Sequence, residues 1–180
     1  NGQYLAENNA IGDYVFDFDG SKIIASDSGT FTNTSNFTIS TWINPDTFSS
    51  NQGYIVFDTS NSTFTESVRI LLYSSNTLAF RIVSSGSNQG AYTFTETNSW
   101  NNFIMVFNGS LSGNDKLKVY RNGQPVTLNY SGTFPTTVNL SEDISIGNFA
   151  NTYNNSFNGK ISNVQIFNTA LSSTDAETLY

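Results

Sequence analysis

A chain of 180 residues fits one domain that buries roughly 70% of its unfolded surface, so no covalent staple is required. It has neither cysteine nor histidine, which excludes a disulfide framework, a thiolate zinc site, a thiol nucleophile and an imidazole base. A net charge of −7, with no run of Lys or Arg to reverse it locally, excludes a phosphate backbone as partner.

In chain order, "NGQYLAENNA" has neither a basic leader nor an apolar stretch, and no apolar run reaches the ~20 residues of a membrane span. Residues 1–13 therefore read as a lead-in and 14–180 as the domain, with any export signal expected to have been removed upstream. From there, period-2 runs recur between clusters of Gly, Asn, Asp and Ser. They are "YVFDFDG", "FTISTWINP", "YIVFD", "VRILLY", "TLAFRIV", "GAYTFTE", "FIMVFNG", "KLKVYRNGQPVTL", "DISIGNF" and "GKISNVQIF". About ten strands with almost no helix predict an all-β sandwich rather than one open sheet. In "TLAFRIV", Leu78, Phe80 and Ile82 should face a core, and Ala79, Arg81 and Val83 a wetter side. Asn122-Gly123 is a hairpin signal, because both central positions of a type I′ turn need positive φ, and it sends Pro125 to a strand start or edge. After Phe167, Ser172 and Asp175 have capping-box spacing, followed by Ala176 and Leu179 at helical spacing. A single amphipathic turn there is expected to close an open end of the core with Leu171 and Leu179.

Six pieces in order, "YVFDFDGS", "FTISTWINP", "WNNFIMVFNGS", "LKVYRNGQPV", "ISIGNF" and "FNGKISNVQIFNTALSSTDAETLY", resemble the laminin-G-like, pentraxin-like branch of the concanavalin A-like lectin/glucanase superfamily. The resemblance implies a jelly-roll sandwich of two antiparallel sheets with a short C-terminal helix. It also implies that ligands, and calcium in some members, bind at rim loops or on one sheet face. Trp42 and Trp100 fall where the family has core aromatics and are expected to pack inside.

The resemblance points to calcium at Asp19 and the Gly20 carbonyl, since calcium takes six to eight hard oxygens. The last-strand positions that would complete such a site read as Ser162 and Asn163, so a plain solvated turn stays open as the alternative. The loops aligning with the family's ligand-binding rim are "SSNQGY" and "GNFANTYNN", rich in amides and poor in acids. A sugar needs a flat aromatic for its ring and amides or carboxylates for its hydroxyls. Tyr153 between Asn151 and Asn154 is the most suitable set, with Asn51, Gln52, Tyr54 and Asn148 in support and Tyr92 and Tyr130 as further candidates.

Glycosidases on this fold present paired carboxylates at alternate positions of one strand. Glu66, Glu96, Glu142, Asp143, Asp175 and Glu177 form no such pair, so no catalytic residue is assigned and an enzyme is not expected. The reading is a non-catalytic carbohydrate-binding or adhesion module of a secreted, cell-surface or virion-surface protein. Its expected partners are a glycan or surface glycoconjugate and other domains of a parent protein, with no nucleic acid and no membrane insertion. The alternative is a structural or assembly domain that contacts protein chains.

Overall fold

The computed structural model describes residues 5–8, 13–19, 24–26, 30–48, 54–61, 63, 65–73, 76–84, 88–148 and 156–180, with backbone alone for 5–8, 13–15, 19, 24–26, 54 and 55. The strands form two antiparallel sheets of seven. Sheet A runs in the order β1 (Leu5–Asn8), β2 (Asp13–Asp19), β14 (Asn158–Phe167), β4 (Asn36–Pro45), β9 (Asn101–Asn108), β10 (Leu117–Arg121) and β11 (Gln124–Pro125). Sheet B runs β12 (Asn129–Ser131), β8 (Gln89–Thr93), β7 (Thr77–Val83), β6 (Ser67–Tyr73), β5 (Tyr54–Ser60), β13 (Ile144–Ile146) and β3 (Ile24–Ser26). This is the jelly-roll sandwich, with four more strands than the ten expected. β1, β3 and β12 hold three or four residues each, too few to show an alternation, and the run around Asn122 splits into β10 and β11. Leu5–Asn8, within the expected lead-in, pair with β2 from Leu5↔Phe16 to Asn8↔Asp13.

The core lies between the sheets. Phe37, Ile39 and Ile43 of β4 and Phe103, Met105 and Phe107 of β9 meet Val68, Ile70 and Leu72 of β6 and Leu78, Phe80 and Ile82 of β7 in one buried cluster. Burying each such side chain stabilises the fold by about 1.5–3 kcal/mol relative to leaving it exposed. Rings add edge-to-face contacts, Phe31 on Phe37 at 5.0 Å and Phe94 on Phe103 at 5.2 Å. At the β10–β11 hairpin Asn122 has φ 50° and Gly123 φ 75°, the twist-compatible turn, and Pro125 lies on the sheet edge where its missing N–H costs no ladder bond.

Two expectations need correction. The C-terminal helix α1 (Ser173–Leu179) is capped as expected, with Ser172 Oγ accepting from Asp175 N and Asp175 Oδ2 accepting from Ser172 N at 2.9 Å. It does not, however, plug an end of the core. Ala176 is buried on the outer face of sheet A against Ile104, Val106 and Tyr120, with Leu171 and Leu179 beside them. β9 carries apolar residues on both of its faces, and the helix is the cover its outer face requires. Trp42 likewise is not interior. The phase that sends Ile39 and Ile43 inward sends Trp42 outward, where it is half-buried and stacks on Tyr180 at 5.6 Å and 23°. Trp100, also half-buried, stands outside the core cluster, just ahead of β9.

Candidate functional site

Most residues expected to bind a ligand, namely Asn51, Gln52, Asn151, Tyr153, Asn154 and Gly20, lie outside the described residues, as do the side chains of Tyr54 and Asp19. Asn148 is described, and it is a support rather than a surface amide. It is fully buried, and its Nδ2 donates to Ser156 Oγ at 2.7 Å, holding together the two residues that bracket 149–155. The preceding Gly147 explains the inward turn. Its φ is +80°, and a Cβ there would stand 2.2 Å from the Phe18 ring. At the expected calcium position, Asp19 pairs with Asn158 in β14, so Asn158, rather than Ser162 or Asn163, is its cross-strand neighbour. Ser162 pairs with Trp42, and Asn163, at φ 48°, falls in the bulge that follows.

The strand register shows where the segments 49–53 and 147–155 attach. Tyr54 pairs with Leu72 and Ile146 with Phe57, so both segments join the same end of neighbouring strands β5 and β13. Tyr73, the last residue of β6, is half-buried at that end.

The outer face of sheet B carries a polar row that crosses six of its seven strands. Cross-strand pairs Ser145↔Asp58, Asp58↔Arg69, Arg69↔Arg81, Arg81↔Gln89 and Gln89↔Ser131 line up on six adjacent strands. At its centre Asp58 and Arg69 are nearly buried. Ser60 Oγ donates to the Asp58 carboxylate at 2.7 Å, Arg69 Nε stands 3.9 Å from Asp58 Oδ1, and Arg69 Nε donates to Ser67 Oγ at 3.1 Å. Burial raises the Asp58 carboxyl to about 6, against the opposing pull of the Ser60 hydrogen bond and the Arg69 charge. Burial lowers Arg69, while Asp58 pulls the other way and the Arg81 charge adds to the lowering.

Arg81 is half-exposed. Its Nε donates to Gln89 Oε1 at 2.8 Å, and its guanidinium lies 5.8 Å over the Tyr73 ring. The stem therefore runs along the sheet past Ala79, which is buried with Leu71 against Tyr73. The side expected to be wetter is thus covered at Ala79 and Val83, which have 0% and 3% exposure, and open at Arg81.

Tyr92, Tyr130, Glu96 and Asp175 have structural employment. Tyr92 Oη accepts from Arg121 Nη1 at 3.2 Å and its ring packs on Phe103, while Tyr130 Oη donates to the Leu117 carbonyl at 3.0 Å. Glu96 forms an ion pair with Arg121, whose Nη2 also donates to Asn101 Oδ1 at 2.7 Å, and that hydrogen bonding holds the Glu96 carboxyl below its usual range. Asp175 serves the helix cap. Among the described residues no three carboxylates gather to hold a metal ion.

Arg69, Tyr73 and Gln89 are not among the residues the sequence singles out, and Arg81 is expected only as an outward residue, though a signal for all four exists. Tyr73 pairs with Thr77, and four residues further from that end of each strand Arg69 and Arg81 stand directly opposite each other.

Residues 18–176 match the laminin G family model of the Concanavalin A-like lectin/glucanases superfamily, and the chain belongs to that family. No curated protein matches it. Among solved structures, the native heptameric SAP-like pentraxin of Limulus polyphemus shares 17% identity at a TM-score of 0.59, covering 89% of this chain and 82% of that one. Domain 4 of AbnA, an extracellular arabinanase of Geobacillus stearothermophilus solved with arabinotriose, shares 16% at 0.66, covering 99% and 81%. The binding domain of botulinum neurotoxin DC in complex with SialylT shares 17% at 0.71, covering 98% of this chain and 44% of that one. At these identities the likeness shows a shared fold.

Proposed function

We propose that the chain is a non-catalytic carbohydrate-binding or adhesion module of a secreted, cell-surface or virion-surface protein, with its glycan site at the Tyr73 end of sheet B. The observation that carries the reading is the half-buried Tyr73 ring with the Arg81 guanidinium 5.8 Å from its centre, itself fixed by Gln89 Oε1 at 2.8 Å, an aromatic ring next to oriented hydrogen-bonding groups of the kind a pyranose requires. The strand ends next to it lead into the segments that hold Asn51, Gln52 and Tyr54 on one side and Asn151, Tyr153 and Asn154 on the other. Asn148 contributes by fixing the second segment at its base. The arabinotriose and SialylT complexes of the structural neighbours support the same reading. So does the employment of Glu96 and Asp175 in an ion pair and a helix cap, which leaves neither for acid–base work. Calcium at Asp19 and the Gly20 carbonyl is proposed as a structural ion near the start of the domain.

A glycan array followed by titration calorimetry tests the module. Binding in the micromolar to millimolar range, weakened by Tyr73→Ala and by Tyr153→Ala, is the expected result. Silence across all glycans combined with concentration-dependent oligomerisation would replace it with the assembly reading. For calcium, the expected result is a melting midpoint that falls on adding chelator, because an ion bound only to the native state must stabilise it. An unchanged midpoint removes the ion from the proposal.

A further inference from the structure

We propose that the outer face of β6, β7 and β8 is an anion subsite in which the Arg81 guanidinium, poised over the Tyr73 ring, receives the carboxylate of an acidic sugar. The inference rests on the glycan-binding reading and names the substrate class. Arg81 is anchored and yet unneutralised. Gln89 Oε1 holds its Nε at 2.8 Å, which fixes the plane of the fork, and among the described residues no carboxylate lies within ion-pair distance of its two Nη groups. Asp58, the acid on the same row, sits beyond Arg69 and faces that residue first. With strands ~4.8 Å apart, two strand spacings leave Asp58 about 10 Å from Arg81 along the row.

The juxtaposition of Arg69 and Arg81 works against the fold. Like charges directly opposite on neighbouring strands destabilise a sheet, and two of the seven cations in a chain of net charge −7 are placed this way. Asp58 offsets the charge of Arg69 but not that of Arg81, so an arriving anion relieves the part of the repulsion that remains. A guanidinium whose Nε is already occupied still presents two parallel N–H groups, and a carboxylate matches them bidentately. The net charge of −7 disfavours anions over the surface as a whole, whereas the cations of this row favour them locally.

The test is titration calorimetry of the whole chain with 3′-sialyllactose and trigalacturonate as carboxylated probes. Lactose and arabinotriose serve as neutral probes, and a heparin tetrasaccharide supplies sulfate. The expected result is binding of at least one carboxylated probe, tighter than the neutral ones. Arg81→Gln should lower that affinity about tenfold or more, as loss of a charge-assisted hydrogen-bond pair does. Arg81→Lys, which keeps the charge without the fork, should fall between. The melting midpoint of Arg81→Gln should hold or rise, a readout that a merely structural role would move the other way. A preference for the sulfated probe over both carboxylated ones overturns the ligand class. Neutral sugars bound as well as acidic ones, with Arg81→Gln silent, overturn the subsite and leave the glycan reading standing. No binding of any probe overturns both.

Discussion

The two sheets solve the problem of their outer faces in opposite ways. Sheet A turns Ile104, Val106 and Tyr120 outward and covers them with α1, an apolar seal between helix and sheet. Sheet B turns a row of Asp58, Arg69, Arg81 and Gln89 outward and leaves Arg81 partly in reach of solvent. One pleat alternation underlies both, so the difference lies in which residues occupy the outward phase. An apolar outer face has to be covered, whereas a charged one can stand open to water and so stays accessible to a ligand. The helix side is therefore the structural side, and the arginine side the one to search for chemistry.

The comparison breaks most severely at the seal. Ile104→Ala removes a fully buried side chain from beneath the helix, and an Ile→Ala cavity of this kind costs about 2–5 kcal/mol. Denaturant unfolding should show the midpoint falling with an unchanged slope, while glycan binding at folded protein concentrations stays intact. A matching loss of binding would mean that the two faces are not independent.

On the opposite face the corresponding lever is pH. Asp58 has its folded carboxyl raised from 3.8 to about 6, so the native state holds a proton that the unfolded state has released between those values. Its contribution is fully present below pH ~4 and is lost as pH rises through ~6, amounting to at most roughly 3 kcal/mol at 1.36 kcal/mol per unit. Stability curves for the wild type and Asp58→Asn should converge in slope above that window and diverge within it. Parallel curves throughout would mean that Asp58 is ionised in the native state over the whole range.

The helix cap gives a smaller effect. Ser172→Ala removes the acceptor for Asp175 N and should cost about 1 kcal/mol. Thermal melting reads the loss, and it should add to that of Ile104→Ala only in part, because both act through the same helix.

How much of this contrast could be read beforehand depended on how local its signal was. The inward phase of β7, the Asn122-Gly123 turn and the Ser172 capping box each reside in a few consecutive residues, and all three stand as expected. Trp42 was placed by analogy to family position, although Phe37, Ile39 and Ile43 around it already set a phase that sends it outward. Ile104 and Val106 read as core until the opposite faces of β9 are distinguished, which is why the sequence alone points the helix to an end of the core and not to the outer face of sheet A. The arginine row was invisible to a scan for basic runs, since Arg69 and Arg81 are twelve residues apart and meet only through hairpin register. The calcium and rim-loop expectations concern residues outside the described structure, apart from Asn148, whose burial no composition argument foretells.

The smallest effect comes from the third arginine, which lies outside the row and serves as its control. Arg121 is satisfied by Glu96, Asn101 and Tyr92 and stacks over Phe94 at 5.4 Å, whereas Arg81 has the Gln89 amide and the Tyr73 ring but, among the described residues, no carboxylate partner. Glu96 has a side chain 44% exposed, so solvent screens the pair and Glu96→Gln should cost only about 0.5–1 kcal/mol. Its folded carboxyl is lowered by the Arg121 hydrogen bond, so the contribution is present above the ordinary glutamate range and is lost as pH falls through the lowered value. Melting at neutral pH should show the small drop, and raised salt should shrink it. Glycan affinity should not respond, because a guanidinium already saturated by its own chain has no open edge for an anion. If Glu96→Gln weakened binding as much as Arg81→Gln, an unpaired arginine would have lost its meaning as the mark of a site, and the two sheets would differ only in how they are covered.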